Sequence, residues 1–196
     1  SDTIAKDVGK TRVEALATEV LTSALATDYY LKNARRFLRP RKVRGGSLLF
    51  LNKRSRIFRT PFGVIGIIAP WNYPLGIPMH EIVPALLAGN AVIFKTAPET
   101  QMVGRKIEEM IRAAGLPADV FIHLNIPGAI IGQILLEPDL HVDKLFFTGS
   151  VPVGKTLMAK AAETLTPVSL ELGGNDPMLV CPDANLERAV NGAMWA

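Results

Sequence analysis

The sequence predicts an α/β protein whose parallel sheet is covered by helices on both faces, and three observations support this. From Pro61 onward, short apolar runs alternate with stretches of helical periodicity. The runs are apolar throughout, which is typical of strands buried on both faces. The helical stretches between them are long enough to serve as the crossovers that parallel strands need. The predicted strands are 64–69, 91–94, 120–124, 144–148, 168–172 and 177–180, and the predicted helices are 75–87, 100–114, 128–136, 151–162 and 184–195.

Residues 1–60 precede this pattern and predict a helical and β-hairpin appendage. Apolar residues recur at helical spacing from about residue 3 to residue 38. Gly9 divides a short first helix from a longer one, and Pro40 ends the pattern. A Gly45-Gly46 turn then leads into two short strands, 47–52 and 56–60, with a basic connection between them. We therefore expect an appendage at 1–60 and an α/β domain at 61–196.

The composition is that of a globular protein, because 48% of the 196 residues are hydrophobic and 20% are charged. The single cysteine excludes a disulfide framework and a zinc site built on cysteines. Prolines interrupt the most apolar stretch, so no segment approaches the roughly 18 residues of a membrane span. The first residues have no signal-peptide pattern, and the sequence therefore predicts a cytoplasmic protein.

The net charge of +4 is unevenly distributed along the chain. Eleven of the 22 basic residues lie between Tyr29 and His80, a stretch that contains no acidic residue. Such a surface can bind nucleic acid by displacing counterions from the phosphates. No helix-turn-helix, RNP or zinc-finger pattern accompanies these charges, so a solvated or subunit-facing surface is the favoured interpretation. We expect neither a nucleic-acid partner nor a membrane partner.

Polar and glycine-rich motifs follow four of the predicted strands. They are PWNYP at 70–74, Lys95, the segment 149–154, and ELGG at 171–174. Parallel strands end at the same edge of a sheet, and open α/β sheets bind their ligands at that edge. The four motifs are therefore expected to surround one site.

The segment 149–154 is typical of a phosphate-binding turn. A glycine at a strand end, followed by a helix, lets backbone amides approach a pyrophosphate at the positive end of that helix. Pro152 suits the first helical turn and Ser150 suits its cap. The spacing is neither G-x-G-x-x-G nor a Walker A loop, so a plain tight turn is the alternative. Lys95 is either a ligand of ribose or phosphate, or a surface lysine.

Asn72 and Glu171 are candidate catalytic residues. An amide on the constrained turn around Asn72 can donate to a developing oxyanion, although an asparagine in a turn also bonds its own backbone. A glutamate at the end of a buried strand is expected to have a raised pKa and to act as a general base. A capping or salt-bridged glutamate is the alternative.

The remaining reactive residue types give no further site. Cys181 follows an apolar run with no basic neighbour, which indicates a buried strand cysteine rather than a nucleophile. His80, His123 and His141 lack the spacing of metal ligands, so no metal is expected. His80 and Glu81 are interpreted either as residues that support the site from behind its lining or as structural residues.

Four motifs in order resemble the aldehyde dehydrogenase superfamily: PWNYP, the strand-end Lys95, FTGS with Gly154 four residues past its serine, and LELGG. The similarity extends from about Gly9 to Trp195. It implies a partial aldehyde dehydrogenase fold, with an oligomerisation segment at 1–60 and a Rossmann-like, dinucleotide-binding domain at 61–196 that is incomplete at its C-terminus. It also implies NAD or NADP as cofactor, an aldehyde substrate, and a homo-oligomer, dimer or tetramer, for the full-length protein.

The resemblance also implies roles for individual residues. Asn72 would stabilise the oxyanion and Glu171 would be the general base. The implied cofactor-binding residues are Ile68, Pro70, Trp71, Lys95, Gly149, Ser150, Gly154 and Leu172. The implied reaction is oxidation of an aldehyde to a carboxylic acid through a thiohemiacetal and a thioester on a cysteine, with hydride transfer to NAD(P). Glu171 favours hydrolysis of the thioester over transfer to coenzyme A.

Three departures from the family pattern matter. The family's nucleophile follows a Gly-Gln-x-Cys pattern that would lie beyond Ala196, so the 196 residues alone are expected to be inactive. Pro98 stands where a glutamate often binds the ribose hydroxyls, which leaves NAD and NADP open. Asn175 replaces a frequent lysine, and the segments LELGGNDP and KTAPET weakly favour a semialdehyde substrate. A non-catalytic nucleotide-binding or interaction protein on the same half-fold is the alternative.

Overall fold

A parallel five-stranded sheet is the centre of the computed structural model, which describes residues 1–43, 46–47, 49, 52–139 and 142–195. The strand order is β5-β4-β3-β6-β7, so β3 is the central strand and every connection within the sheet is a crossover. This confirms the predicted α/β class. The strands are β3 (Val64–Ile68), β4 (Ala91–Lys95), β5 (Phe121–Leu124), β6 (Lys144–Gly149) and β7 (Val168–Leu172).

Five helices follow the first strand of this sheet. They are α4 (Gly76–Leu87), α5 (Gln101–Ala113), α6 (Gly128–Ile134), α7 (Val151–Thr164) and α8 (Leu186–Trp195). Short 3₁₀ turns, Pro98–Thr100 and Ala118–Val120, precede α5 and β5. All five helices were predicted, with boundaries that differ by one to two residues at most ends, because their apolar residues follow the helical period.

Alternation along the strands explains why helices cover both faces of the sheet. Ile65 and Ile67 of β3 pack into one apolar layer with residues of α4 and α5. Ile68 and Leu145 pack into the other layer, with residues of α6 and α7. Successive side chains of a strand point to opposite faces, so strands that are apolar at every position need a cover on each side.

The N-terminal residues form helices that pack on the outside of one of these layers. They are α1 (Asp2–Val8), α2 (Arg12–Ala15), a π-helical segment Leu16–Val20, and α3 (Leu21–Leu38). Gly9 ends α1 in the left-handed conformation (φ 75°), as its predicted role as a break requires. Helix α3 packs along α4, and α1 packs along α5. The N-terminal helices are thus in contact with the helical layer rather than with the sheet.

The hairpin differs from its prediction. Its first strand is β1 (Arg41–Val43), which pairs antiparallel with β2 (Ser55–Ile57), so the strand lies before the two glycines and not after them. The described residues of the predicted strand, 47, 49 and 52, are not in a strand, and Gly45 and residues 48, 50 and 51 lie outside the described residues. Both strands are exposed along their length, so no apolar pattern marked β1 in the sequence.

The predicted strand at 177–180 is also wrong. These residues form no regular structure, and Met178, Leu179 and Val180 are exposed. Cys181 is exposed as well, which contradicts its interpretation as a buried strand cysteine. An apolar run favours a strand only where a sheet edge and a covering layer receive it, and here β7 is the last strand described. Among the described residues, no helix combines the length and hydropathy that crossing a membrane requires.

Candidate active site

A cleft of about 750 Å³ lies at the carboxyl ends of the strands. The register brings the ends together, because Ile68 of β3 pairs with Lys95 on one side and with Phe147 on the other, and Gly149 pairs with Leu172. The prediction that the four motifs meet at one edge is therefore confirmed. The predicted site residues that line the cleft are Ile68, Pro70, Trp71, Asn72, Lys95, Gly149, Ser150, Glu171 and Leu172.

Asn72 lies on the exposed turn between β3 and α4. Its Oδ1 accepts a hydrogen bond from the backbone N–H of Tyr73, at 3.1 Å. The turn-forming interpretation of this residue is therefore correct, and it does not exclude the catalytic one. With the carbonyl oxygen held by the backbone, the amide Nδ2 is the atom that remains to donate to a ligand in the cleft.

Lys95 is the last residue of β4 and is buried, with 5% of its surface exposed. The alternative interpretation, a surface lysine, is therefore wrong. Burial lowers the pKa of its ammonium group, and the nearby charge of Glu99 opposes that effect. Among the described residues, none accepts a hydrogen bond from its Nζ, and Lys95 lines the cleft. An ammonium group that a largely buried lysine presents to a cleft favours a ligand that supplies oxygen acceptors.

The turn after β6 leads directly into α7. Ser150 is the N-cap residue with an extended backbone, and Pro152 lies in the first turn. The side chain of Ser150 makes no capping hydrogen bond, so that part of its prediction is wrong. The first backbone N–H groups of α7 have no partner earlier in the helix, and they begin at the edge of the cleft. This is the arrangement that binds a phosphate.

Gly154 does not line the cleft, unlike the other predicted residues. A Cβ atom at this position would lie 2.7 Å from Cδ2 of Leu172 and 3.3 Å from its Cδ1. The glycine therefore lets α7 approach β7 closely, and its effect on the cleft passes through Leu172, which does line it.

Glu171 is exposed on β7 opposite Thr148 and lines the cleft. The burial that its prediction assumed is absent. A second carboxyl group, that of Glu81 on α4, is half-buried, and its Oε2 atom is buried without a hydrogen-bond partner among the described residues. Burial, followed by the negative charge of Glu171, raises the pKa of Glu81 from 4.5 to about 8. The raised pKa was not predicted, and its one signal in the sequence was an acid within the apolar stretch 75–87.

The other reactive residue types lie away from the cleft. Cys181 does not line it, and neither does His80, which is exposed. The side chain of His123 is buried beside Thr96 and 3.5 Å from Oε2 of Glu108, and burial lowers its pKa. His141 lies outside the described residues. Within the part of the chain that the structure describes, no three His, Cys, Asp or Glu side chains are grouped to hold a metal ion.

Comparison with known proteins decides the family. The model of the aldehyde dehydrogenase family matches residues 1–196, the whole length of this sequence. The chain belongs to the aldehyde dehydrogenase family. It is 40% identical to the 4,4'-diapolycopene aldehyde oxidase of Methylomonas sp. This alignment of 194 residues covers 99% of this chain and 36% of that protein. It is also 36% identical to the succinate semialdehyde dehydrogenase of Acinetobacter baylyi. This alignment of 181 residues covers 91% of this chain and 36% of that protein.

Solved structures of the aldehyde dehydrogenase family have the same fold as this chain. The crystal structure of the aldehyde dehydrogenase from Brucella melitensis biovar abortus 2308 matches with a TM-score of 0.88 and 35% identity, over 98% of this chain and 39% of that one. The succinic semialdehyde dehydrogenase from Streptococcus pyogenes in complex with NADP+ matches with a TM-score of 0.84 and 28% identity. This match covers 95% of this chain and 39% of that one. The chain therefore spans a little over a third of the length of these relatives.

Two residues of this aldehyde dehydrogenase chain that the sequence analysis missed support the turn that carries Asn72. Glu19, in the π-helical segment, is fully buried, and its Oε2 accepts hydrogen bonds from the backbone N–H groups of Leu75 and Gly76. Its Oε1 forms an ion pair with Nζ of Lys10 at 2.9 Å. No local sequence motif predicts these contacts, because Glu19 precedes Leu75 by 56 residues and Gly76 by 57 residues.

Proposed function

We propose that this chain carries the cofactor site and two catalytic side chains of an NAD(P)-dependent aldehyde dehydrogenase, which oxidises an aldehyde to a carboxylic acid. The observation that carries the proposal is the shared cleft at four strand ends, lined by Asn72, Lys95, Ser150 and Glu171. The family supports the chemistry, and the likeness to a structure in complex with NADP+ supports the cofactor.

The residues of the cleft fit a dinucleotide. Lys95, a largely buried lysine, presents its ammonium group to the cleft, which suits a ribose hydroxyl or a phosphate oxygen. The N-terminus of α7 offers backbone N–H groups and a positive dipole, which suit the pyrophosphate. Pro98, rather than a glutamate, borders the cleft near Lys95, but the neighbouring Glu99 also lines the cleft, so both NAD and NADP stay open. When bound, NAD or NADP supplies the hydride acceptor.

Asn72 and Glu171 would act on the substrate. The Nδ2 group of Asn72 donates a hydrogen bond to the aldehyde oxygen, and so stabilises the negative charge that develops when a thiolate attacks the carbonyl carbon. Glu171, exposed at the rim of the cleft, accepts a proton from the water that hydrolyses the resulting thioester. Its presence supports hydrolysis rather than acyl transfer to coenzyme A.

The nucleophilic cysteine is proposed to lie outside these 196 residues. The sequence contains one cysteine, Cys181, and it is not among the residues of the cleft. We therefore expect the 196-residue chain alone to oxidise no aldehyde. The same observation favours the second candidate function, a protein that binds the nucleotide without chemistry.

The test is an assay of the full-length protein with NAD and NADP and a panel of aldehydes that includes succinic semialdehyde. We expect aldehyde-dependent formation of the reduced cofactor. The variant Asn72→Ala should lower kcat/KM by about 10²- to 10³-fold, and Glu171→Gln should allow one turnover and then stop. Glu163→Gln, an exposed glutamate of α7, is the matched control. Cofactor binding without oxidation of any aldehyde would favour the second candidate, and absence of both would contradict the proposal.

A further inference from the structure

We propose that Lys10 and Glu19 are positioning residues for the oxyanion-stabilising amide of Asn72, so that the N-terminal helices control the first chemical step. The inference rests on the proposed function, because it assigns a purpose to the geometry of the turn that carries Asn72. It is supported by contacts that join three separate parts of the chain: the loop after α1, the π-helical segment and the turn before α4.

Helix α4 lacks a cap of its own. Its N-cap residue is Leu75, whose side chain cannot accept a hydrogen bond from the first backbone N–H groups. Glu19 replaces that cap from a distance, because its Oε2 lies 2.9 Å from the N atom of Leu75 and 3.1 Å from that of Gly76. A carboxylate at this end also interacts favourably with the helix dipole.

The other donors of this first turn are also accounted for. The N–H of Ile77 donates to the carbonyl oxygen of Tyr73, Pro78 has no N–H, and the N–H of Met79 donates to Leu75. From Leu75 to Met79, every residue that has a backbone N–H group therefore donates it to a partner. Because Glu19 supplies two of these partners, its loss would leave two N–H groups unpaired at the end of the turn.

Lys10 completes the support on the other side. Its Nζ lies 2.9 Å from Oε1 of Glu19 and 3.6 Å from the centre of the Tyr73 ring. The ammonium thus neutralises a fully buried carboxylate and contacts the aromatic ring that follows Asn72. Tyr73 therefore has two contacts: its ring lies against Nζ of Lys10, and its backbone N–H donates to Oδ1 of Asn72. The second contact fixes the orientation of the Asn72 amide.

The π-helical segment explains how Glu19 reaches α4. Residues Leu16–Val20 form hydrogen bonds across five residues, as the N–H of Leu21 to the carbonyl oxygen of Leu16 shows. The wider turn changes the direction of the side chains between α2 and α3. Short π-helical insertions of this kind are frequent at functional sites.

The experiment is a double-mutant cycle in the full-length enzyme between Glu19→Gln and Asn72→Ala. The glutamine amide cannot accept from both backbone groups and from Lys10 as well, so the turn loses part of its support. We expect Glu19→Gln to lower kcat/KM for the aldehyde by about 10- to 100-fold, as misplacement of a catalytic group does, without weakening cofactor binding. In the Asn72→Ala background the same change should have no further effect, because the group that it positions is already absent.

Two further variants and one control complete the design. Lys10→Met should show the same coupling to Asn72→Ala, and Lys10→Arg should restore most of the activity because it retains the cation. The control is Asp28→Asn, which breaks the exposed ion pair with Lys32 on α3 and should change nothing. Multiplicative effects in the cycle, or a parallel loss of cofactor affinity, would mean that Glu19 has only a structural role and would overturn the inference.

A separate measurement distinguishes this inference from the proposed function. If the wild-type protein oxidises no aldehyde, the proposed function fails, and the contacts are then tested by amide hydrogen exchange. Glu19→Ala, which removes both carboxylate oxygens, should accelerate exchange at Leu75 and Gly76 and leave the amides of α7 unchanged. Unchanged exchange at Leu75 and Gly76 would contradict the inference whatever the enzyme assay shows.

Discussion

Single residues at the cleft show two opposite effects of burial on charge. Lys95 loses water at the end of β4, and burial lowers the pKa of its ammonium. Glu81 loses water on α4, and burial raises the pKa of its carboxyl to about 8. In both cases burial disfavours the charged form, and the sign of the shift depends only on which form carries the charge. A ligand with oxygen acceptors would stabilise the charged form of Lys95, whereas the nearby Glu171 adds to the effect of burial on Glu81.

The raised pKa of Glu81 predicts how stability depends on pH. Between about pH 4.5 and about pH 8 the folded protein keeps a proton that the unfolded chain has lost. The free energy of unfolding therefore has a contribution that is fully present below the unfolded pKa and is lost as the pH rises through this window. We expect Glu81→Gln, which is neutral at every pH, to remove this loss and to stabilise the protein at about pH 8 by up to several kcal/mol.

Urea unfolding of the wild type and of Glu81→Gln at about pH 5 and about pH 8 checks this prediction. The difference between the two proteins should be small at the lower pH and grow toward the higher one. Glu187→Gln, which changes an exposed glutamate of α8, provides the control and should show no such growth. An equal difference at both pH values would mean that Glu81 titrates as an ordinary carboxyl group.

The residues of the site divide clearly into those that a sequence reveals and those that it does not. Asn72, Lys95 and Glu171 were predicted because each follows an apolar run, and parallel strands bring such positions to one edge. Glu19 and Lys10 were missed because their roles depend on contacts with residues more than fifty positions away or with an aromatic ring. The burial of Glu81 and the exposure of Glu171 were missed for a related reason: burial at a strand end depends on what packs against it.

At the scale of the elements, glycines decide how closely α5 approaches the sheet. A Cβ atom at Gly104 would lie 2.5 Å from Cγ2 of Thr96 and 2.6 Å from Nε2 of His123, and both of those side chains are buried. Alanine normally stabilises a helix by about 0.5–1 kcal/mol relative to glycine. Here we expect Gly104→Ala to destabilise the protein by about 1–3 kcal/mol, because the helix must move outward to relieve the overlap.

Denaturant unfolding of Gly104→Ala against Gly192→Ala tests this expectation. Both substitutions place a methyl group within a helix, but at Gly192 the nearest atom to the new Cβ is Cε of Met178 at 3.7 Å, an ordinary contact. Gly192→Ala should therefore cause no loss of stability. If Gly104→Ala is also harmless, then α5 packs less tightly than the structure shows.

The elements differ in how well the sequence predicted them, and the reason is packing. The strands β3, β4 and β6 and the helices around them were predicted because apolar periodicity reports burial on a sheet. The segment 177–180 has the same apolar character but no strand beside it, and it remains exposed. Strand β1 consists of Arg41, Lys42 and Val43 and has no buried face, so nothing in its composition distinguished it from a loop.

At the scale of the whole molecule, the basic stretch between Tyr29 and His80 remains largely without acidic partners within the described part of the chain. Of the eleven basic residues between Tyr29 and His80, only Lys32 forms an ion pair among those that the structure describes. Five of them, on α3, the hairpin and the chain that follows it, surround a cavity of about 660 Å³: Arg36, Arg39, Arg41, Lys42 and Arg59. Both interpretations from the sequence, a solvated surface and a subunit-facing one, are consistent with this arrangement.

The distribution of burial predicts a gradient of local stability across the molecule. The central strand β3 is buried from Ile65 to Ile68, whereas most residues of α8 and of the segment before it are exposed. We expect the amides of β3 and β4 to exchange hydrogen most slowly and those of α8 most rapidly. Native-state hydrogen exchange read by mass spectrometry measures this order, and equal protection of α8 and β3 would contradict it.

The position of β3 at the centre of the sheet has a consequence for biosynthesis. As the chain leaves the ribosome, β4 and β5 emerge next and assemble on one side of β3. The other edge of β3 stays open until β6 follows, and until then it presents unpaired N–H and C=O groups beside its isoleucines. An open, apolar edge of this kind can pair with another chain, so we expect the nascent chain to be most prone to aggregation between the synthesis of β5 and that of β6.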